Sequence, residues 1–269
     1  MGLFGGLSSS GEIGPYTPTR HTLPSTRQRK AAAPDCLPKR DPLKPSIDQT
    51  ALRLFAPVAP TYERWAKILS LGQDSRWRAE MVAGLQLSGC ARVLDVATGT
   101  GSIARLLEAR GSSVVGLDQS FQMLASANPA HAAAVCAGAE AVPFAAESFD
   151  CLTFGYLLRY VSDPLTCMRE LCRVVRPGGA VGMVEFGRPR GLWGGLWTLY
   201  TRLALPVIGA AISPGWGAIG RFLWSSIDSF HREYPPDILV ALWGSAGLVD
   251  VRIVQSSLGG GLLVWGRKP

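Results

Sequence analysis

The chain has 269 residues, of which 47% are hydrophobic and 17% are charged, and its net charge is +7. This length and composition exclude a collagen-like chain and a chain that is disordered throughout, and they predict one large domain, alone or with an appendage. A basic balance suits an anionic partner, either nucleic acid or a membrane surface, and it is also common in proteins that bind neither. No stretch combines clustered basic residues with interleaved aromatic residues, so we expect no nucleic-acid partner.

The cysteines and histidines form neither a zinc pattern nor a disulfide framework. The six cysteines include no Cys-x-x-Cys pair, and the three histidines are far apart in the sequence. We therefore predict no metal site, and we expect reduced thiols in a cytoplasmic protein.

The first 48 residues differ in composition from the rest of the chain. They hold seven of the nineteen prolines, together with Ser, Thr and scattered Arg, and they show no hydrophobic periodicity. We predict a disordered tail here, followed by one domain over 49–269. Residues 13–34 lack acidic side chains, so an organelle transit peptide is the alternative, whereas the absence of a long apolar run argues against a signal peptide.

From residue 51 onward the hydrophobic pattern predicts two helices and then alternating strands and helices. The predicted helices are 51–71, 75–85, 102–109, 121–127, 164–175 and 236–246, and the predicted strands are 92–96, 113–117, 133–137, 150–154, 180–186, 249–255 and 262–265. Such alternation indicates an α/β fold with a mostly parallel sheet and helices on both faces. The loop before the seventh strand is too short for a crossover helix, so that last strand should run antiparallel.

A glycine-rich turn after the first predicted strand carries the chemistry. Asp95 lies near the end of that strand, Gly99 and Gly101 follow at the amino end of the next helix, and Asp118 ends the second strand. Glycines allow the backbone and the helix N-terminus to approach a ligand closely. A carboxylate at the position of Asp118 can accept both ribose hydroxyls of a nucleoside.

Two cofactor classes compete for this turn. The spacing Gly99-x-Gly101-x-x-Ala104 satisfies the dinucleotide fingerprint, which makes NAD one candidate. Asp95 would repel a pyrophosphate, however, and it can hold the cationic amino-acid end of S-adenosylmethionine, directly or through water. We therefore predict S-adenosylmethionine as the cofactor in a Rossmann-like, class I methyltransferase arrangement.

Beyond this motif, residues 51–269 resemble the ubiquinone/menaquinone biosynthesis C-methyltransferase family. The resembling segments are 55–62, 69–72, 139–144, 148–150, 158–163, 173–179, 185–189 and 222–227. The resemblance implies an enzyme that uses S-adenosylmethionine to methylate a ring carbon of a lipophilic demethylated quinol. It also implies an amino-terminal helical lid, which we place at 51–87.

The motif and the resemblance together give a set of cofactor-binding residues. They are Tyr62, Asp95, Thr98, Gly99, Thr100, Gly101, Asp118, Gln119, Met123, Gly138, Ala139, Glu140 and Gly155. Gly138 stands where the family usually has Asp or Asn for the adenine amine, so we expect the backbone, Glu140 or packing against Met123 to hold the adenine. Tyr160 and Ala66 stand where the family has Asn, which leaves the acceptor ring open.

Arg159 is the predicted catalytic residue. Methylation at a quinol carbon requires loss of a phenolic proton, and a guanidinium is too basic to be an ordinary general base. We expect Arg159 to stabilise the phenolate or to orient a water molecule, with a salt bridge to Asp163 as the alternative. Tyr62 is expected either to close over the cofactor or to pack in the core. Glu185 either lines the acceptor pocket or caps a helix.

Residues 191–220 contain one charged residue, Arg202, and several tryptophans. Because Arg202, Pro206 and Pro214 interrupt this stretch, we predict no transmembrane helix. An interrupted apolar insertion over 188–232 suits a tunnel for a lipophilic acceptor or a patch at a membrane surface, and a helical cap or a homodimer contact are the alternatives. We expect a cytoplasmic protein with peripheral membrane contact.

Two other functions remain open at this point. One is methylation of a phenol or polyketide in small-molecule secondary metabolism. The other is cofactor binding without catalysis.

Overall fold

The computed structural model describes residues 47–87, 91–127 and 133–269, so residues 1–46 of the predicted tail lie outside the described part. The helices are α1 (Ile47–Phe55), α2 (Tyr62–Leu69), α3 (Gln73–Gly84), α4 (Ser102–Glu108), α5 (Phe121–Ala125), α6 (Pro164–Val174), α7 (Gly191–Leu199), α8 (Leu205–Ile212), α9 (Pro214–Glu233) and α10 (Pro236–Ser245). The strands are β1 (Arg92–Val96), β2 (Ser113–Asp118), β3 (Ala133–Cys136), β4 (Phe149–Gly155), β5 (Val175–Phe186), β6 (Val249–Ser256) and β7 (Gly261–Arg267).

The seven strands form one sheet in the order β3-β2-β1-β4-β5-β7-β6. Strands β1 to β5 pair in parallel, and β7 runs antiparallel to both β5 and β6. This confirms the predicted α/β fold with an antiparallel last strand. The carboxyl ends of β1, β2 and β4 lie at one edge of the sheet, and the turns that follow them meet there.

Both faces of the sheet are covered by helices. On one face α3 and α4 supply Trp77, Met81 and Leu107, and on the other α6 and α10 supply Leu171 and Trp243. A strand that is buried on both faces must be apolar almost throughout, which is why the central strands were recognisable from sequence alone.

The predicted helix 51–71 is interrupted, and the lid is shorter than predicted. Pro57 and Pro60 lie in a 3₁₀ helix, Ala56–Thr61, that separates α1 from α2. Proline has no N–H to continue an α-helix. The predicted lid also included α3, but Trp77 and Met81 of α3 are buried against the sheet. The lid therefore consists of α1, the 3₁₀ helix and α2, which pack on α8 and α9 through Val58, Leu69, Leu205, Trp216 and Ile219.

Strand β5 begins earlier than predicted. Val175 already pairs with Phe149, and Ala180 pairs with Cys151, so residues 176–179 form an irregularity within the pairing of β5 with β4. A Cβ on Gly179 would lie 2.7 Å from the carbonyl oxygen of Asp150, so only glycine fits there. The irregular pairing, rather than a simple turn, accounts for the Pro-Gly-Gly sequence.

Residues 191–212 form one continuous helix, which corrects the prediction of an interrupted stretch. Helix α7 passes through a π-helical turn, Tyr200–Ala204, into α8. In that turn the N–H of Leu205 donates to the carbonyl of Tyr200, and Pro206 follows in the first turn of α8, where proline is tolerated. Among the described residues this 22-residue helix is the one that is long and apolar enough to cross a membrane, by length and composition only.

Candidate functional site

A cavity of about 470 Å³ opens at the carboxyl edge of the sheet. Its cofactor lobe is formed by residues 97–100, 117–120, Met123 and 137–140. Its acceptor lobe is formed by the aromatic and basic side chains Phe55, Tyr62, Tyr156, Arg159, Tyr160, Phe186, Trp193, Trp197, Tyr200 and Trp216. The volume lies within the range of sites that enclose small ligands.

The turn between β1 and α4 forms the floor of the cofactor lobe. Gly99 and Gly101 have φ angles of +57° and +83°, which glycine adopts without a steric penalty. The N–H of Gly101 donates to the carbonyl of Thr98, which closes the turn. Thr98, Gly99 and Thr100 line the cavity, whereas Gly101 lies behind them as the residue that precedes α4.

Asp118 lies at the end of β2 with its carboxylate on the cavity wall. Its Oδ2 accepts the N–H of Gly99 and its Oδ1 accepts the N–H of Ser120, each at 2.8 Å. Burial raises the pKa of Asp118, and the two backbone N–H groups oppose that shift. Each carboxylate oxygen can accept a second hydrogen bond, which is what two neighbouring ribose hydroxyls require.

Asp95 does not line the cavity. Its side chain is fully buried, and its two oxygens accept hydrogen bonds from the hydroxyls of Thr98 and Thr153, both at 2.7 Å. Burial raises the pKa of Asp95 to about 6 against the effect of those two hydroxyls. Because Thr98 bonds to Asp95 and lines the cavity, the water-mediated form of the predicted contact between Asp95 and the cofactor is the one that suits this arrangement, and Asp95 stays a predicted cofactor residue.

The remaining predicted cofactor residues are brought together on the cavity wall. They are Tyr62, Gln119, Met123, Gly138, Ala139, Glu140 and Gly155. Apart from Gly138 and its two neighbours in the chain, no described residue has an atom within 4 Å of the position that a Cβ on Gly138 would take, so the space that the family's Asp or Asn would fill is open. This open space lies beside the buried side chain of Met123, where the sequence predicts that the adenine is held.

Helix α2 is tied to the glycine turn through Glu63, a contact that the sequence analysis missed. The Glu63 carboxylate accepts hydrogen bonds from the hydroxyls of Thr100 at 2.8 Å and Ser102 at 3.1 Å, and it pairs with Arg105. Although burial opposes it, the contacts with Arg105 and the hydroxyls lower the pKa of Glu63. These bonds hold the lid over the cofactor lobe.

Tyr62 of the lid packs against α9, and its closure over the cofactor stays a prediction. Its ring stacks on Trp216 with the ring centres 6.1 Å apart and meets Phe55 edge to face. Burial raises the pKa of Tyr62, so the phenol is neutral at physiological pH.

Arg159 lines the acceptor lobe and is held by a buried ion pair. Its Nε donates to Oε1 of Glu185 at 2.9 Å, and one of its terminal nitrogens donates to the hydroxyl of Ser226 at 2.7 Å. Its guanidinium carbon lies 4.7 Å from the ring centre of Tyr160. Although burial acts in the opposite direction, the Glu185 carboxylate raises the pKa of Arg159, so the cation persists at all physiological pH values.

Asp163 is not the partner of Arg159. Its carboxylate instead accepts the backbone N–H groups of Leu165 and Thr166 and caps α6. Glu185 supplies the counter-charge, so its placement differs from both expectations, a pocket-lining group and a helix cap.

A second buried charged cluster was also missed. Arg78 donates to Asp74 at 3.0 Å, and the hydroxyl of Tyr156 donates to the same carboxylate oxygen. All three side chains line the cavity. The spacing of Asp74 and Arg78, four residues apart on one helix, is a signal that could have predicted the ion pair. That this ion pair lies on the cavity wall could not be predicted in the same way, because the position depends on the tertiary fold.

His231 takes no part in the cavity. Its Nε2 lies 2.8 Å from the carbonyl oxygen of Phe186, so this nitrogen carries the proton that it donates. Burial lowers the pKa of His231, which keeps the ring neutral. Within residues 47–87, 91–127 and 133–269, no group of three His, Cys, Asp or Glu side chains is placed to hold a metal ion. The described cysteines, Cys136, Cys151, Cys167 and Cys172, are free thiols.

Comparison with known proteins gives consistent matches. The sequence model of the ubiE/COQ5 methyltransferase family matches residues 45–268. Over 80% of this chain and 89% of the relative, the sequence is 34% identical to the ubiquinone/menaquinone biosynthesis C-methyltransferase UbiE of Desulfotalea psychrophila. Over 72% of this chain and 90% of the relative, it is 36% identical to the demethylmenaquinone methyltransferase of Thermus thermophilus.

Solved structures show the same fold at low sequence identity. An S-adenosylmethionine-dependent methyltransferase of Thermotoga maritima, described as a possible histamine N-methyltransferase, is 18% identical with a TM-score of 0.56 and covers 81% of this chain and 99% of its own. Phosphoethanolamine N-methyltransferase 2 of Haemonchus contortus in complex with S-adenosylmethionine is 14% identical with a TM-score of 0.51, over 71% of this chain and 52% of its own.

Proposed function

Because this chain belongs to the ubiE/COQ5 methyltransferase family, we propose that it methylates a ring carbon of a lipophilic demethylated quinol. The chain is an S-adenosylmethionine-dependent methyltransferase with a class I fold. Relatives that are 34% to 36% identical carry the names ubiquinone/menaquinone biosynthesis C-methyltransferase and demethylmenaquinone methyltransferase. These names support a quinol of the menaquinone or ubiquinone type as the acceptor.

The observation that carries the proposal is the continuity of the cavity. One cavity joins Asp118, the predicted partner of the ribose, to an aromatic lobe that contains the buried Arg159 cation. A methyl donor and a flat apolar acceptor would therefore meet inside a single cavity. Positioning of two reactants in this way contributes much of the acceleration in a displacement reaction.

Different residues of the chain would bind the cofactor, exclude water and stabilise the acceptor anion. S-adenosylmethionine, when bound, supplies a methyl group on a positively charged sulfur. Asp118 and the glycine turn would hold the adenosine portion, and the lid would exclude water from the reacting atoms. Arg159 would stabilise the phenolate that forms when the quinol loses a phenolic proton, because a fixed cation in a buried site interacts strongly with a developing anion.

The charge on the acceptor activates its ring carbon. The ring carbon next to the phenolate oxygen attacks the methyl carbon, the carbon–sulfur bond breaks, and the ring proton then leaves to solvent as the aromatic ring is restored. Burial raises the pKa of Tyr160 to about 12, so this phenol would remain protonated and is not the base. The Tyr160 ring instead stacks on Phe222 and forms an apolar wall beside Arg159.

A turnover assay tests this function. The purified chain is incubated with S-adenosylmethionine that carries a deuterated methyl group and with a short-chain demethylated quinol under reducing conditions. The proposal predicts a product heavier by one labelled methyl group on a ring carbon. The oxidised quinone is the control, and it should not react because it has no phenolic proton to lose.

A small phenolic acceptor is the second candidate. Tyr160 and Ala66 both line the cavity, and both replace an Asn that the family carries. These changes make the acceptor lobe more apolar beside Arg159, which suits a substituted phenol as well as a quinol. Labelling of simple phenols without labelling of any quinol would favour this candidate.

A further inference from the structure

Helix 191–212 presents two different faces along its length. Facing inward, Trp193, Trp197, Thr201 and Leu205 line the cavity at intervals of four residues. Facing outward, an apolar stripe is formed by Leu192, Leu196, Leu199, Leu203 and Val207, each of which is at least half exposed. The stripe extends over about 24 Å at 1.5 Å per residue. Exposed apolar surface of this extent marks an interaction site in a folded protein.

The inward face of the helix is already covered by the chain itself. Helices α8 and α9 approach so closely that a Cβ on Gly209 would lie 2.5 Å from the carbonyl oxygen of Trp216, and one on Gly217 would lie 2.9 Å from Cα of Ala210. Because α9 and the cavity cover one side, lipid could not surround this helix. The helix would therefore lie in the plane of a membrane surface rather than cross it.

The charges around the stripe complement an anionic surface. Residues 186–227 contain four arginines, Arg188, Arg190, Arg202 and Arg221, and no Asp or Glu. Asp228 follows directly and pairs with Arg188 at 3.3 Å, so the charge of Arg188 is partly compensated. All four arginines are exposed, and the guanidinium of Arg202 lies 5.8 Å from the ring centre of Trp224. Basic side chains beside exposed apolar residues favour a bilayer that contains anionic lipid, and they would disfavour a second copy of the same basic face.

The cavity has openings of different character at its two ends. Four lining residues, Leu71, Trp193, Leu196 and Leu258, are at least half exposed, so they form an apolar mouth beside the stripe. At the other end of the cavity, Gln119 follows β2 and Glu140 follows β3. Both residues are exposed, and they form a polar opening to the cofactor lobe. A lipophilic molecule and a charged, water-soluble one would thus reach the same cavity from opposite sides.

We infer that the outward stripe of helix 191–212 docks on the surface of an anionic lipid bilayer and that the apolar mouth beside it admits the acceptor directly from the lipid. The inference of a docking surface does not depend on the proposed function. The route of the acceptor rests on the proposed function, since only a lipophilic acceptor would need it.

Vesicle flotation tests the docking surface. The purified full chain is mixed with vesicles of phosphatidylcholine alone or with added phosphatidylglycerol, and the floated fraction is measured. We expect flotation with the anionic vesicles and a loss of flotation in high salt. The double variant Leu199→Glu with Leu203→Glu should bind these vesicles at least about ten-fold more weakly. It would place two negative charges at positions where the docked protein buries apolar side chains in the bilayer.

Matched variants separate docking from folding. Val240→Glu with Val254→Glu makes the same kind of change at exposed positions on α10 and β6 and should float like the unaltered chain. Leu192→Glu, at a position that is 79% exposed, is a second change in the stripe and should also weaken flotation. Thermal unfolding and S-adenosylmethionine binding should be unchanged in all of these variants, because none of the altered side chains lines the cavity.

Several results would overturn the inference. They are absence of flotation of the unaltered chain with either vesicle, equal flotation of the stripe variants, or a stripe-dependent dimer in solution that does not float. Flotation does not depend on turnover, so its result can be interpreted even if the proposed function is wrong. For the route of the acceptor, turnover of a long-chain quinol in vesicles should fall with flotation, whereas turnover of a short-chain quinol in solution should not. Equal loss of both activities would overturn the route.

Discussion

Arg159 and Glu185 form an ion pair, 2.9 Å from Nε to Oε1, in which the two side chains are 1% and 0% exposed. Oε1 of Glu185 also accepts the backbone N–H of Phe186 at 2.7 Å, whereas Oε2 makes no hydrogen bond within the described part of the chain. A buried ion pair of this kind contributes little net stability, but loss of one partner leaves an uncompensated charge. Glu185 is thus a positioning residue that acts through Arg159.

Replacement of Glu185→Gln should lower the free energy of unfolding by about 3–5 kcal/mol, because it leaves Arg159 buried without a counter-charge. Urea unfolding measures this loss. In the proposed reaction the variant should also lower kcat while leaving the Kd for S-adenosylmethionine unchanged.

The control is Asp250→Asn, which removes the carboxylate that pairs with Arg267 at the exposed surface. Its cost should stay below about 1 kcal/mol. Equal costs for the two variants would contradict the role assigned to the buried pair.

Asp118→Asn should weaken S-adenosylmethionine binding about ten- to hundred-fold, since the charge-assisted hydrogen bonds to the ribose would be lost. Isothermal calorimetry measures the change. Asp163→Asn is the matched control, because the Asp163 carboxylate also accepts two backbone N–H groups but lies at the start of α6. This control variant should leave the Kd for S-adenosylmethionine unchanged. An unaltered Kd for Asp118→Asn would remove Asp118 from the cofactor site.

Asp95 should make stability depend on pH. Its pKa rises from about 3.9 when unfolded to about 6 when folded, so its contribution is fully present below about pH 4 and is lost as the pH rises through 6. Asp95→Asn keeps partners for Thr98 and Thr153 and should raise the free energy of unfolding at pH 8 by about 1–3 kcal/mol, with a smaller gain at pH 4. Urea titrations of the cofactor-free chain across this range provide the measurement, and a gain that does not vary with pH would refute the assignment.

Tyr160→Asn, which restores the residue of the family, should raise the KM for a large aromatic acceptor by about two- to ten-fold. The ring of Tyr160 stacks on Phe222 with the ring centres 6.0 Å apart, and that wall would be lost. Tyr160→Phe keeps the ring and should behave like the unaltered enzyme. If Tyr160→Phe were as impaired as Tyr160→Asn, the hydroxyl rather than the ring would be responsible.

The sheet and the glycine turn could be predicted because local chemistry determines them. Strand β1 reads as an apolar run since both of its faces are buried, and Gly99 and Gly101 have φ angles that other residues rarely adopt. Family resemblance identified Arg159 as a site residue, and the structure places it on the cavity wall.

The partners of these residues could not be predicted, because they come from distant parts of the chain. Glu185 meets Arg159 only through the pairing of β4 with β5, and Asp95 faces Thr153 across β1 and β4. The continuity of helix 191–212 was missed for a different reason. A π-helical turn accommodates Pro206, and hydrophobic patterns carry no signal for such a turn.

The most direct test of the central claim is the quinone pool of cells that lack this protein. Deletion of the gene, extraction of the quinones and mass analysis should show accumulation of a quinone that is lighter by one methyl group. Return of the unaltered gene should restore the normal mass, whereas the Asp118→Asn gene should restore it only weakly. An unchanged quinone pool in the deletion strain would contradict quinol methylation as the function of this enzyme.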